Sequence, residues 1–232
     1  MQGLMMDRPL LVSTLLQHAE ATYPNTEIVS RRCEGDIHRY TMKDAASRAR
    51  KVANLLTRLD IQDSDRVATL AWNNYRHFEL YYGISGFGAV LHTINPRLFA
   101  EQLVYIINHA EDRYIFVDLT FVPLLEAILP HIGNVEGFII LCDEDKMPET
   151  KLPNALCYET LLAAESDEFE WPEFPETKGA SMCYTSGTTG NPKGVLYSHR
   201  STCLHAFASV GEEVMGLSSS SCFLPVVPMF HV

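Results

Sequence analysis

The chain has 232 residues, 47% hydrophobic and 20% charged, enough for one large or two small folded domains and unlike a disordered chain. Eighteen Lys and Arg stand against 29 Asp and Glu, a formal net charge of -11 that excludes a general nucleic-acid binder, which needs a basic face. No apolar run approaches the ~18 residues of a membrane span, and Met1 to Pro9 lacks the basic end and apolar core of a signal peptide.

The pattern predicts a helix over 9–22, with Ser13 as its cap and Leu15, Leu16 and Ala19 on one face. Short strands follow between Glu27 and Tyr40, around a turn at Glu34-Gly35-Asp36. Thr41 with Asp44 reads as a capping arrangement for a helix to about Leu59, whose stripe is Ala45, Ala49, Val52, Ala53 and Leu56. From there strands and helices alternate. Strands are predicted at 66–71, 89–94, 113–118 and 137–141, and helices after Asn73 and Asn74, at 101–110 and at 122–129. Strands apolar throughout, separated by helices, indicate a parallel sheet covered on both faces. The right-handed crossover rule makes it a doubly wound α/β fold with a mostly parallel sheet flanked by helices. Residues 143–178 hold eleven acidic against three basic residues and four prolines, and read as an acidic surface excursion with one short helix near Tyr158 to Ala164.

Six cysteines (Cys33, Cys142, Cys157, Cys183, Cys203 and Cys222) form no Cys-x-x-Cys pair and fall at no zinc spacing with histidine. A chain of this size needs no disulfide staples, so they read as structural free thiols in a reducing, cytoplasmic setting. His77, His92, His109, His199 and His205 lie in helical or strand patterns and read as structural. Glu212-Glu213 reads as surface charge ending a helix. A catalytic carboxylate pair would need a facing partner across a cleft.

The informative segment is Ser181 to Val195, where an apolar strand enters a loop rich in glycine and hydroxyl residues and carrying one lysine. Glycines let the backbone approach an anion and aim successive N–H groups at it. The hydroxyls of Thr185, Ser186, Thr188 and Thr189 can donate to phosphate oxygens, and Lys193 supplies a neutralising charge. It is not a Walker A loop, because Pro192 precedes the lysine and Gly194 follows it. The dinucleotide-binding glycine spacing is also missing. A flexible linker would need neither Lys193 nor a buried strand ahead of it. Farther on, Leu224 to Val232 reads as a strand running into a site and then stopping, an unusual native end.

The loop resembles the signature phosphate loop of the adenylate-forming (AMP-binding) superfamily, which Thr185 to Gly194 matches throughout. Pro228-Met229-Phe230-His231, some forty residues on, resembles the segment whose aromatic or histidine residue lines the family's acyl and adenylate pocket. Asp65 to Ala68, Gly88 to Arg97 and Tyr197 to Arg200 are similar to other family segments, so the resemblance covers almost the whole chain. Within the superfamily it leans to bacterial fatty acyl-CoA synthetases and 3-methylthiopropionyl-CoA ligases.

The resemblance implies an ATP-dependent acyl-CoA synthetase that joins a medium- or long-chain carboxylate, or a short thioether acid, to ATP and then to CoA. It implies Thr185 as a Mg2+ and phosphate ligand. It implies Ser186, Gly187, Thr188, Thr189, Gly190 and Lys193 around the phosphates, and His231 and Val232 beside the α-phosphate and acyl carboxylate. Lys193 and His231 are the catalytic candidates. The region 1–232 is then expected to be an incomplete large N-terminal domain, with a first α/β layer at 27–142, the excursion at 143–178, and the phosphate loop and start of a second layer at 179–232. The adenine, ribose and remaining magnesium contacts, and a C-terminal lid with its catalytic lysine, would lie beyond it, leaving this piece without ligase activity. Homodimerisation is expected only at the level of the family. Two other readings stand beside it: an adenylating enzyme that delivers to a carrier protein, and a non-catalytic nucleotide-binding module.

Overall fold

The computed structural model describes residues 1, 3–185 and 191–231. In chain order the elements are α1 (Val12–Thr22), β1 (Glu27–Arg31), β2 (Ile37–Thr41), α2 (Met42–Arg58), β3 (Arg66–Leu70), α3 (Tyr75–Phe87), β4 (Val90–Thr93), α4 (Ala100–Ala110), β5 (Tyr114–Asp118), α5 (Val122–Ile128), β6 (Gly137–Leu141), β7 (Ala155–Cys157), α6 (Tyr158–Ala163), β8 (Gly179–Tyr184), β9 (Gly194–Ser198) and α7 (His199–Ser209). Strands β1 and β2 pair antiparallel as a separate ribbon. The other strands form one sheet in the order β7-β6-β5-β3-β4-β8-β9, parallel except for the antiparallel β8–β9 pair at one edge.

Alternation along the strands sorts the core into two layers. Ile115 and Val117 of β5 face α4 and α5, where Leu103, Ile106, Ile107 and Leu125 are buried. Phe116, between them, faces α2, α3 and α6 through Val52, Leu56, Leu80, Ile84 and Tyr158. Helices therefore cover both faces, as the uniformly apolar strands require. Helix α2 starts where predicted. Thr41 Oγ1 accepts from the Asp44 N–H, and the Asp44 carboxylate accepts from the Thr41 N–H, a complete capping box.

Four expectations change. Ser13 does not cap α1; it is 2% exposed inside the helix, and the cap position is Leu11. The helix start is satisfied from afar, the Val12 N–H donating to His199 Nδ1 at 3.1 Å. Helix α7 ends at Ser209, so Glu212 and Glu213 sit in the exposed turn after it. No strand forms at 224–227. Pro225 and Pro228 lack the N–H that a ladder uses, and the carbonyls of Pro225 and Val227 are taken by a side chain instead.

The stretch 143–178 is more than a surface excursion, because β7 joins the sheet edge and Leu152, Tyr158 and Leu162 are buried. Its acids are engaged by arginines of the main body. Asp143 meets Arg32 and Arg76, Glu159 meets Arg48 and Arg76, and Glu165 meets Arg58.

Candidate nucleotide-binding site

In a doubly wound sheet, ligands bind at the carboxyl ends of the strands, where the chain's connections diverge. Here the chain leaves β3 toward β4 on one side and leaves β5 toward β6 on the other, so the divergence lies between β3 and β5. The corner after β3 is tightly built. Asp118, at the end of β5, accepts from the Trp72 N–H at 2.7 Å and from the Asn74 side-chain amide at 3.2 Å. Burial pushes the Asp118 carboxyl up to about 6, against the pull of those donors and of the Cys33 thiol. Asn74 caps α3, its Oδ1 accepting from the His77 N–H. His77 is fully buried between the Trp72 carbonyl on Nδ1 and the Thr69 hydroxyl on Nε2. The carbonyl can only accept, so Nδ1 carries the proton and Nε2 accepts from Thr69. Burial pushes this imidazole down to about 4.

The chain between β8 and β9 carries the predicted phosphate loop. Its two ends are pinned together, the Thr185 N–H donating to the Lys193 carbonyl at 3.0 Å and the Lys193 N–H reaching Thr185 Oγ1 at 3.4 Å. Just below, Tyr184 is buried, and its hydroxyl shares a 2.7 Å hydrogen bond with His109 Nδ1. Burial pushes that phenol up to about 12. His92 of β4 stacks near Tyr184 and is held through Nδ1 by Asp112 at 2.8 Å, both fully buried. The loop thus rises from a rigid base. At its mouth Thr185 and Lys193 are exposed, and among the described residues Lys193 makes no ion pair. Ser186, Gly187, Thr188, Thr189, Gly190 and Val232 lie outside the described residues. Among the described residues no group of three His, Cys, Asp or Glu could hold a metal ion.

The segment 225–231 docks on the corner after β3. The Asn73 side-chain amide donates to the carbonyls of Pro225 at 2.9 Å and Val227 at 2.8 Å, and its Oδ1 accepts from the Met229 N–H at 2.7 Å. Tyr81, on α3, donates its hydroxyl to the Met229 carbonyl. A turn closed by the His231 N–H on the Pro228 carbonyl buries Phe230 and leaves His231 exposed. Only β4 separates β3 from β8, so corner and loop leave the same sheet edge about 10 Å apart at ordinary strand spacing.

Thr185 and Lys193 are brought together, and His231 is presented from the same edge. Sequence reasoning missed Asn73, Tyr81, Asp118 and His109. The Asn73-Asn74 pair did signal a helix cap, but nothing local showed that only Asn74 caps while Asn73 reaches 150 residues away.

Comparison with known proteins agrees with this geometry. The chain is 50% identical to a 3-methylmercaptopropionyl-CoA ligase of Ruegeria lacuscaerulensis, over 100% of the chain and 43% of the relative. It is 45% identical to a medium-chain-fatty-acid–CoA ligase of Ectopseudomonas oleovorans, over 100% of the chain and 42% of the relative. The fold matches a fatty acyl CoA synthetase structure of Mycobacterium tuberculosis with a TM-score of 0.67 at 23% identity, covering 86% of this chain and 37% of that one. The chain spans less than half the length of the curated relatives it matches. The model of the AMP-binding enzymes matches residues 16–232, and the chain belongs to that family.

Proposed function

We propose that the protein to which this chain belongs is an AMP-forming acyl-CoA ligase. In the first half-reaction a carboxylate oxygen attacks the α-phosphorus of ATP; an acyl–O–P bond forms and the bond to the pyrophosphate oxygen breaks. In the second, the CoA sulfur attacks the acyl carbon, the thiol proton is lost, and AMP leaves with the former carboxylate oxygen. Adenylation is needed because a free carboxylate is a poor electrophile.

One observation carries the reading: a pinned, glycine-containing loop whose mouth presents the Thr185 hydroxyl and the Lys193 cation, which makes no ion pair among the described residues, with the docked segment that carries His231 leaving the same end of the sheet. Thr185 and Ser186 to Lys193 wrap the β- and γ-phosphates in this proposal, while His231 and Val232 lie beside the α-phosphate and the acyl carboxylate. The Thr185 hydroxyl would help to hold a Mg2+ ion, which would supply charge to offset that of the phosphates.

The acyl group is proposed to be a medium- or long-chain fatty acid or a short thioether acid; the relatives in Ectopseudomonas and Ruegeria are named for a medium-chain fatty acid and for 3-methylmercaptopropionate. The test is adenylate trapping by the full-length protein over acids of graded length, with CoA and a phosphopantetheinyl carrier offered in turn as acceptors. The proposal expects one class of acid to accumulate adenylate and CoA to discharge it. Discharge only to the carrier would replace CoA ligation with carrier loading, and adenylate from no acid would support the non-catalytic reading. The 232-residue chain alone is expected to give no acyl-CoA.

A further inference from the structure

We infer that Asn73 is a positioning residue for the segment that carries Phe230 and His231. Its amide is used to a degree unusual for a side chain on a surface corner. Both N–H bonds are donated, to the carbonyls of Pro225 and Val227, and the oxygen accepts the Met229 N–H. Three bonds from one rigid, planar group fix three points of a segment that belongs to no helix or strand. Tyr81 adds a fourth point at the Met229 carbonyl. No other side chain of similar size does this. Aspartate in the same place would keep the bond from the Met229 N–H but set a carboxylate against two carbonyls, and glutamine would be one methylene too long for the same three partners. Asn73 is itself set by the corner between β3 and β5, where Asp118 holds the Trp72 N–H and the Asn74 amide. The position of His231 is thereby tied to the sheet as well as to its own turn. The inference rests on the proposed role of this segment beside the α-phosphate, where a displacement near 1 Å can cost about a hundredfold in rate.

Asn108 supplies a matched control. Its side chain also bridges a loop backbone, donating to the His131 carbonyl at 2.9 Å and accepting from the Gly133 N–H at 3.1 Å. That loop precedes β6, at the opposite edge of the sheet.

The experiment compares full-length wild type, Asn73→Ala, Asn73→Asp and Asn108→Ala. It uses acid-dependent pyrophosphate–ATP exchange, thermal unfolding and amide hydrogen exchange. Both Asn73 variants are expected to lose ten- to a hundredfold in kcat while the KM for ATP moves less than threefold, since the loop between Thr185 and Lys193 is untouched. Asn108→Ala is expected to keep kcat within twofold at a comparable thermal shift. The amides of Met229 and His231 are expected to exchange at least tenfold faster in Asn73→Ala and at the wild-type rate in Asn108→Ala. Equal kinetic losses in the Asn73 and Asn108 variants, or unchanged exchange at Met229 and His231, would overturn the inference. If the wild type shows no acid-dependent exchange, the proposed function fails, and the amide measurement alone still decides whether Asn73 holds the segment.

Discussion

His77 shows how much of the site's rigidity comes from groups that never meet a ligand. It is neutral, fully buried, and bonded through Nδ1 to the Trp72 carbonyl and through Nε2 to the Thr69 hydroxyl of β3. Its pKa is about 4 in the folded chain against an ordinary value of 6.5. The folded state therefore binds fewer protons than the unfolded state between those values, and stability rises with pH across that window and is flat above it. The Asp118 carboxyl, pushed up to about 6, has the opposite sign and weakens the fold as pH rises toward that value. Comparing wild type with His77→Gln cancels the Asp118 contribution. The stability difference between the two is expected to fall by about 3 kcal/mol from pH 7 to pH 4. Urea unfolding at four or five pH values measures it, and a difference independent of pH would mean that His77 is charged or solvated in the fold.

Among the elements, the acidic stretch 143–178 works as a strap over α2, α3 and the β1–β2 ribbon. Arg76 is its centre, 1% exposed, with Nη1 on Glu34 at 2.7 Å and on the Leu141 carbonyl, Nη2 on Asp143 at 2.7 Å and Nε on Glu159 at 2.8 Å. The planar guanidinium satisfies three carboxylates and a carbonyl in one fork, a task a point charge cannot perform. Arg76→Met leaves the buried Glu34 without its ion pair and strips Asp143 and Glu159 of one of their two arginines, and is expected to lower the unfolding free energy by about 3–5 kcal/mol. A urea midpoint within about 1 kcal/mol of wild type would show that water or rearranged partners replace Arg76 at little cost. None of this pairing was legible in the sequence, because Arg76 and Glu159 are separated by 83 positions and the acids looked like solvated charge. The short β7 was hidden for the same reason, three residues inside an acidic, proline-broken stretch. By contrast β3, β4, β5 and β6 were legible because strands buried on both faces are mostly apolar without alternation, and α2 was legible from its capping box and stripe. The expectation of a strand at 224–227 failed because hydrophobicity alone does not supply a partner with free backbone groups.

At the scale of the molecule, the β8–β9 loop and the corner that docks the segment 225–231 both leave the carboxyl end of one sheet. The loop between β8 and β9 was recognisable from its own residues, since glycine, hydroxyl and lysine chemistry is local. The dock for the segment 225–231 was not, since Asn73 and Tyr81 act across about 150 positions. The net charge of -11 says little about function, because acids of 143–178 such as Asp143, Glu159, Glu165 and Glu176 pair with arginines and hold the fold. The central claim is that this end of the sheet handles the phosphates of ATP while a carboxylate is activated. Acid-dependent exchange of labelled pyrophosphate into ATP by the full-length protein, wild type against Lys193→Ala, tests it most directly. The account predicts exchange that requires the acid and falls by about a hundredfold or more in the folded variant, the scale of losing one charge-stabilising group. Exchange that needs no acid, or that survives unchanged without the Lys193 ammonium, would contradict it.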